Sequence, residues 1–514
     1  MVKGKQQQQE LYKKLWDMAN ELRGNISANE FKDYILGIIF YRYLSEKVEA
    51  RANSMLQNDG INYKEAWEIE AMRKPLTDQL IEQRGYTVEP DYLFSTMIEE
   101  IEKGKGGKFD TEYLMEAINS IVDSTMGQES QSTFENLFDD MDLSSTRLGK
   151  TVETRSKLMA RILVLVNEIS FNQDDSEIDI LGDAYEYLIG KFAANAGQKA
   201  GEFYTPQEVS KVLAKIVTMG KEELQSVYDP ACGSGSLLLK VNQEAKVGKI
   251  YGQELISTTY NLARMNMLLH EVHYSKFDIQ NADTVEEPQH MGMEFEAVVA
   301  NPPYSSKWSS DSKFEQDERF SGYGKLAPKS RADYVFVQHM IHHLKDNGTM
   351  AVVLPHGVLF RGGAEEDIRK HLIKDKNYLD AVIGLPENLF YGTGIPTCIL
   401  VYKKCRREDE SVLFIDASKD FGKVTNKNVL REEDIEKIVE TYRTRQEIDK
   451  YSHKASLEEI EENDYNLNIP RYVDTFEPEP RVDIDMVRTR LGEIDKEIEE
   501  IDREIDKYFK ELGL

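Results

Sequence analysis

Between about residue 171 and Tyr402, short β-rich apolar runs alternate with helical stretches: Val227–Tyr228, Lys249–Tyr251, Ala297–Ala300, Met350–Leu354, Ala381–Ile383 and Cys398–Tyr402. This alternation predicts an α/β fold, a mostly parallel sheet with helices on both faces. Ligands of such sheets bind at the carboxyl ends of the strands, so the chemistry is expected there. Upstream, Trp16, Leu22, Ile26, Phe31, Ile35, Ile38 and Ile39 recur at helical spacing. The chain therefore divides into a helical domain over 1–170 without chemistry of its own, an α/β domain over 171–475 and a helical tail over 476–514. A length of 514 residues fits about three domains at ~150 residues each.

Several classes are excluded. No apolar run approaches the ~18 residues of a membrane span; Tyr34 to Leu44 is short and interrupted by Arg42. The polar start, with Gln6 to Gln9, lacks the core of a signal peptide. Cys232, Cys398 and Cys405 have no disulfide or zinc spacing, so a cytoplasmic protein with reduced thiols and no metal site is expected. No segment, including the basic loop Lys103 to Lys108, has the spacing of a nucleotide hydrolase's phosphate loop. With 64 Lys and Arg against 92 Asp and Glu, the net charge is −28. Such a chain is poorly suited to gripping a polyanion over a broad surface. Contact with nucleic acid is expected instead at a local basic loop, Ser305 to Arg331, which carries Lys307, Lys313, Arg319, Lys325, Lys329 and Arg331.

Four segments carry candidate chemistry. In Tyr228-Asp229-Pro230-Ala231-Cys232-Gly233-Ser234-Gly235-Ser236 a strand ends at Asp229 and a helix opens after a glycine turn. Gly233 and Gly235 let the backbone approach a ligand, and the helix start offers free N–H groups. Glu254 ends the next strand, where a carboxylate holds a ribose diol. Asp283 follows a third strand, either as an acceptor for an adenine amine or as an ordinary turn residue. Asn301-Pro302-Pro303-Tyr304 directly follows the run Phe295 to Ala300. The two prolines stiffen the backbone and donate no hydrogen bond. The Asn301 oxygen and the Pro302 carbonyl can accept both hydrogens of an exocyclic amine, and Tyr304 offers a stacking face. In Gly201-Glu202-Phe203-Tyr204-Thr205-Pro206-Gln207-Glu208, Thr205 is expected as N-cap, Pro206 at the first helical position and Glu208 closing a capping box. His339, His342 and His343 read as a packed or solvated helix face, and Cys232 has no basic partner to make it a nucleophile.

Together these segments resemble the S-adenosylmethionine-dependent DNA amino-methyltransferases, and more closely the modification subunit of type I restriction-modification systems. The resemblance extends through Gly182 to Glu186, Leu385 to Phe390, Gly394 to Thr397 and Asn468 to Tyr472. It implies a Rossmann-like methyltransferase sheet, S-adenosyl-L-methionine as cofactor, and methyl transfer to N6 of adenine in double-stranded DNA. It implies that Glu202, Phe203, Tyr204, Thr205, Pro206 and Gln207, with Asp229, Gly233, Ser234, Gly235 and Ser236, hold the amino-acid end of the cofactor. Glu254 would hold its ribose and Asp283 its adenine. Asn301 and Pro302 would orient the amine, with Tyr304 and Phe390 enclosing the base; Tyr391, adjacent, is the alternative to Phe390. It also implies a separate specificity subunit that reads the target, two modification subunits per specificity subunit, and a restriction subunit in the full complex. Other readings are a protein glutamine N5-methyltransferase, which uses a similar Asn-Pro-Pro-Tyr motif, and a non-catalytic subunit that only senses the cofactor.

The tail adds an assembly element. Ile484, Val487, Leu491, Ile494, Ile498, Ile501, Ile505, Tyr508 and Leu512 alternate steps of three and four, the pattern of a coiled-coil seam. A specificity-subunit helix is the expected partner. Folding back onto the chain and homodimeric pairing are the alternatives, the latter disfavoured by the tail's acidic charge.

Overall fold

The computed structural model describes residue 16 and residues 28–169, 180–195, 205–390, 394–407, 411–424, 427–475 and 484–513. Leu22, Ile26, Glu202, Phe203, Tyr204 and Tyr391 lie outside them. Among the described residues no helix is long and apolar enough to cross a membrane.

The main sheet is built from β1 (Glu223–Asp229), β2 (Lys246–Glu254), β3 (Phe277–Asn281), β4 (Phe295–Ala300), β5 (Leu344–Pro355), β6 (Leu379–Gly384), β7 (Thr397–Lys403), β8 (Val412–Asp416) and β11 (Ser452–Ala455). A separate ribbon pairs β9 (Gly422–Val424) with β10 (Lys427–Val429). The order is β11-β8-β6-β7-β5-β4-β1-β2-β3. The strands β3-β2-β1-β4-β5 all pair in parallel, as the alternation predicts. Strand β7 runs antiparallel to both β5 and β6. The β6–β7 connection packs Leu385, Leu389 and Phe390 into the core, and no helix is described in it. Consecutive strands joined without a crossover pair antiparallel. Past Tyr402, where the sequence turns highly charged, β8 and β11 still extend the sheet.

Strand side chains alternate between two cores. Ala297, Val299, Ala351 and Val353 join one; Phe295, Val298, Ala300, Met350, Val352 and Leu354 join the other. The first core continues into the helical region through α1 (Ala28–Met55), whose Tyr34, Ile35, Ile38 and Ile39 are buried. The principal helices that follow are α2 (Gln207–Val217), α3 (Ser236–Glu244), α4 (Ser257–Leu269), α5 (Asp333–His342) and α6 (Ile484–Leu512). On α4, buried Arg264 donates to the carbonyls of Ser132, Thr133 and Glu135 at 3.0–3.1 Å. Tyr43 of α1 donates to the Leu268 carbonyl at 2.8 Å. The helical region and the sheet are thus one compact unit, Met1–Val473; Asp474–Leu514 forms a second. In that second unit the seam residues of α6 are 40–73% exposed.

Candidate active site

The parallel pairing of β1 with β2 and β4 brings the loops at their carboxyl ends together. After β1, the Ala231 N–H donates to Asp229 Oδ1 at 2.9 Å. Gly233 and Gly235 have φ of +55° and +77°, a region that strains any other residue. A Cβ on Gly235 would also lie 2.8 Å from the Met267 methyl. Gly235 is the N-cap of α3, so the turn aims the helix's unpaired N–H groups at the strand ends. Ser234 and Ser236 hydroxyls sit 3.0 Å apart, and Asn266 Nδ2 donates to the Ser234 carbonyl at 3.0 Å.

Glu254, at the end of β2, is held between two loops. Its Oε2 accepts from Gly233 N–H at 3.0 Å and its Oε1 from Ile256 N–H at 2.8 Å. Each oxygen keeps a second lone pair for a ligand. Asp283 Oδ1 accepts from Val285 and Glu286 N–H at 2.8 and 3.1 Å, and Thr284 donates to the Pro230 carbonyl at 2.5 Å. The third loop is thereby tied to the first. Burial pushes the Asp229 carboxyl up to about 8, with the charge of Glu254 adding to the rise. Burial also raises the Glu254 carboxyl, against the pull of its backbone N–H partners. Among the described residues, neither carboxylate has a Lys or Arg partner. Two buried carboxylates without a cation fit a cofactor that brings positive charge and a diol, as S-adenosylmethionine does.

Asn301 follows β4. Its Nδ2 donates to Thr205 Oγ1 at 3.1 Å, and its Oδ1 accepts from the Tyr304 hydroxyl at 2.5 Å. These partners fix which end of the amide is the acceptor. Pro302 is buried, and its carbonyl accepts no hydrogen bond among the described residues. The loop exit is pinned downstream: Ser305, at φ +49°, donates its N–H to Asp333 Oδ1 at 2.8 Å. Asp333 is itself bound by Arg361 at 2.9 Å. The sequence reading missed Asp333; its only local signal is an acidic residue in the first turn of α5.

Four expectations are corrected. Thr205 is not the N-cap of α2: Pro206 occupies that position with extended backbone and no side-chain cap, and the Thr205 hydroxyl goes to Asn301. Glu208 accepts from Lys427 at 3.3 Å rather than closing a capping box, and Gln207 donates to Glu186 at 2.6 Å. Phe390 is buried, 4% exposed, and meets Tyr304 edge-on, with centroids 6.1 Å apart and planes at 79°. The two rings therefore do not form parallel walls around an open slot. Arg319 is no surface cation. It is 2% exposed and donates to Asp317, to His339 and to the Thr284 and Val285 carbonyls. His339 lies between Arg319 and the Tyr228 hydroxyl, at 3.2 and 3.0 Å, and His343 bonds the Met293 carbonyl at 2.8 Å. Both are buried structural groups, and burial lowers their pKa.

The N-6 DNA Methylase family model matches residues 176–480, and the HsdM N-terminal domain model matches 11–166. The type I restriction enzyme MpnII methylase subunit of Mycoplasma pneumoniae is 38% identical over 502 residues, covering 94% of this chain and 92% of that protein. The MjaVII methylase subunit of Methanocaldococcus jannaschii is 35% identical over 368 residues, 68% of this chain and 62% of that protein. The crystal structure of a type I restriction-modification methyltransferase subunit from Streptococcus thermophilus, 43% identical, superposes with a TM-score of 0.83 over 91% of this chain and all of that one (100%). A strand-end loop with two uncompensated carboxylates, an Asn-Pro-Pro-Tyr turn on the neighbouring strand and these relatives agree: the chain belongs to the N-6 DNA methylase family, as the S-adenosylmethionine-dependent methylase subunit of a type I restriction-modification enzyme.

Proposed function

We propose that this chain methylates N6 of adenine in double-stranded DNA at Asn301 and Pro302, in a complex whose specificity subunit reads the target. Two modification subunits serve one specificity subunit, and a restriction subunit completes the assembly. The observation that carries the reading is the Asn301 amide. It is clamped by Thr205 and Tyr304 at the carboxyl end of β4, beside the loop of β1.

The amine nitrogen of adenine shares its lone pair with the ring and is a poor nucleophile. Asn301 Oδ1 and the Pro302 carbonyl, each accepting one N–H, favour a pyramidal nitrogen with a localised lone pair. The base pair hides this amine, so the nucleotide must be flipped out, and Tyr304 offers the face for it. Asp229, Gly233, Ser234, Gly235, Ser236, Glu254 and Asp283, with the segment Glu202 to Gln207, would hold the cofactor. When bound, S-adenosylmethionine supplies a methyl group on a cationic sulfonium. For such a displacement, alignment and charge placement supply most of the rate. His339 and His343, tied into the core, do not act as bases here. The relatives do not favour the glutamine-methyltransferase or cofactor-sensing readings.

The exposed seam of α6 supports docking on the specificity subunit. At ~1.5–3 kcal/mol per large apolar side chain buried, a partner helix is favoured over water. Deleting residues 480–514 should leave cofactor binding intact and weaken that complex in light-scattering chromatography; undiminished assembly would remove the tail from this role. The function itself is tested with labelled cofactor, DNA and a protein substrate offered to the complex. Label in DNA alone is expected; label in protein alone would favour the glutamine reading.

A further inference from the structure

The loop Ser305 to Arg331 begins beside Tyr304 and returns at Asp333, and its two arms are zipped together. Ala332 N–H donates to the Ser306 carbonyl at 2.9 Å, and Trp308 N–H to the Lys329 carbonyl at 3.1 Å. Trp308, Phe314 and Phe320 pack on one another as part of the second core, with ring centroids 5.3–6.0 Å apart. The loop is therefore a built element that holds a fixed face beside the target site.

Its cations are not equivalent. Arg319 is buried in the interior. Lys313 pairs with Glu286 at 2.7 Å and Lys325 with Asp367 at 2.6 Å. Arg331 lies 3.7 Å from Glu365, a carboxylate that Arg361 already binds at 3.3 Å. Lys307 and Lys329 are exposed, and neither makes an ion pair among the described residues. The Trp308–Lys329 bond places them on facing arms of the loop, with Lys307 three positions past Tyr304. On a chain of net charge −28, two uncompensated ammonium groups beside the amine-binding turn are a local reversal of sign. Compact, solvated ammonium groups suit phosphate oxygens as point charges.

We propose that Lys307 and Lys329 hold backbone phosphates of the target strand next to the extruded adenine. The proposal rests on the DNA-methylation reading above. It is tested by the salt dependence of duplex binding by the full chain assembled with its specificity subunit. Lys307→Gln/Lys329→Gln is compared with Lys313→Gln/Lys325→Gln, and cofactor affinity is titrated for each. Both pairs are exposed, so folding is preserved. The first pair should make the slope of log K against log salt shallower by about 2, at roughly 0.9 per lost phosphate contact. Its KM for DNA should rise at unchanged cofactor affinity. The second pair should keep the wild-type slope. An unchanged slope in the first pair, or an equal loss in the second, would overturn the proposal. Failure of the underlying reading looks different: the wild-type complex would bind duplex with its full slope yet transfer no methyl group to it.

Discussion

On the β1–β2 side of the site, Glu254 is braced by two N–H donors, Asp283 by two more, and the glycine turn is locked between α3 and α4. On the β4 side, Asn301 Oδ1 accepts from the Tyr304 hydroxyl, and Tyr304 leans edge-on against Phe390. The proposed cofactor side is braced by backbone N–H groups, whereas the proposed target side is braced by side chains. Backbone N–H groups set by strand ends preorganise the first. The second is held by side chains, with Thr205 and Tyr304 on the two ends of the Asn301 amide. Cofactor binding at the braced loops should need little rearrangement there, while adenine meets an Asn301 oxygen that already accepts one hydrogen bond and keeps one lone pair.

The largest effect separates the two sides. Asn301→Ala should lower single-turnover methylation by about 10²–10³-fold, the scale for losing one placed polar group in a reaction centre. Its cofactor affinity, read by calorimetry, should stay near wild type. Equal losses in both would merge the two sides into one. Next, Glu254→Ala should weaken cofactor binding by roughly 30- to 150-fold, on the order of 2–3 kcal/mol, because it removes charge-assisted acceptors and unties the glycine turn.

Asp229 gives a pH signature. Its carboxyl, usually ionised above about 4, stays protonated up to about 8 in the cofactor-free protein. A cationic ligand favours the ionised form, so binding below that pH expels a proton. Affinity should rise with pH toward 8, by at most about tenfold per unit, and then level off. Asp229→Asn should flatten the profile. The same group makes the cofactor-free chain lose stability as pH rises from about 4 through about 8, since the unfolded carboxyl ionises first. The smallest effect sharpens the target side. Tyr304→Phe keeps the ring and removes the hydroxyl that orients Asn301 Oδ1, so single-turnover methylation should fall by roughly 2- to 10-fold, the worth of one ordinary hydrogen bond.

The loops of the proposed cofactor side were legible in the sequence because their signals are local. Asp229, the two glycines and Glu254 follow strands that the apolar runs already mark. The target side was harder, because its partners are distant. Thr205 reads as a helix cap in its own segment, yet its hydroxyl serves a residue 96 positions away. Arg319 looks like one more loop cation until the fold brings it to carbonyls 34 and 35 positions back. Phe390 carries the right chemistry, but only packing decides that it meets Tyr304 edge-on. The tail seam was legible for the opposite reason: a stripe with steps of three and four is complete within one helix.

The most direct test of the account is mass spectrometry of the nucleosides from duplex DNA treated with the complex and S-adenosylmethionine. N6-methyladenine is expected in the wild-type reaction, and about 10²–10³-fold less of it in the same single-turnover time with Asn301→Ala. N4-methylcytosine, or N6-methyladenine formed by the variant at the wild-type rate, would contradict it.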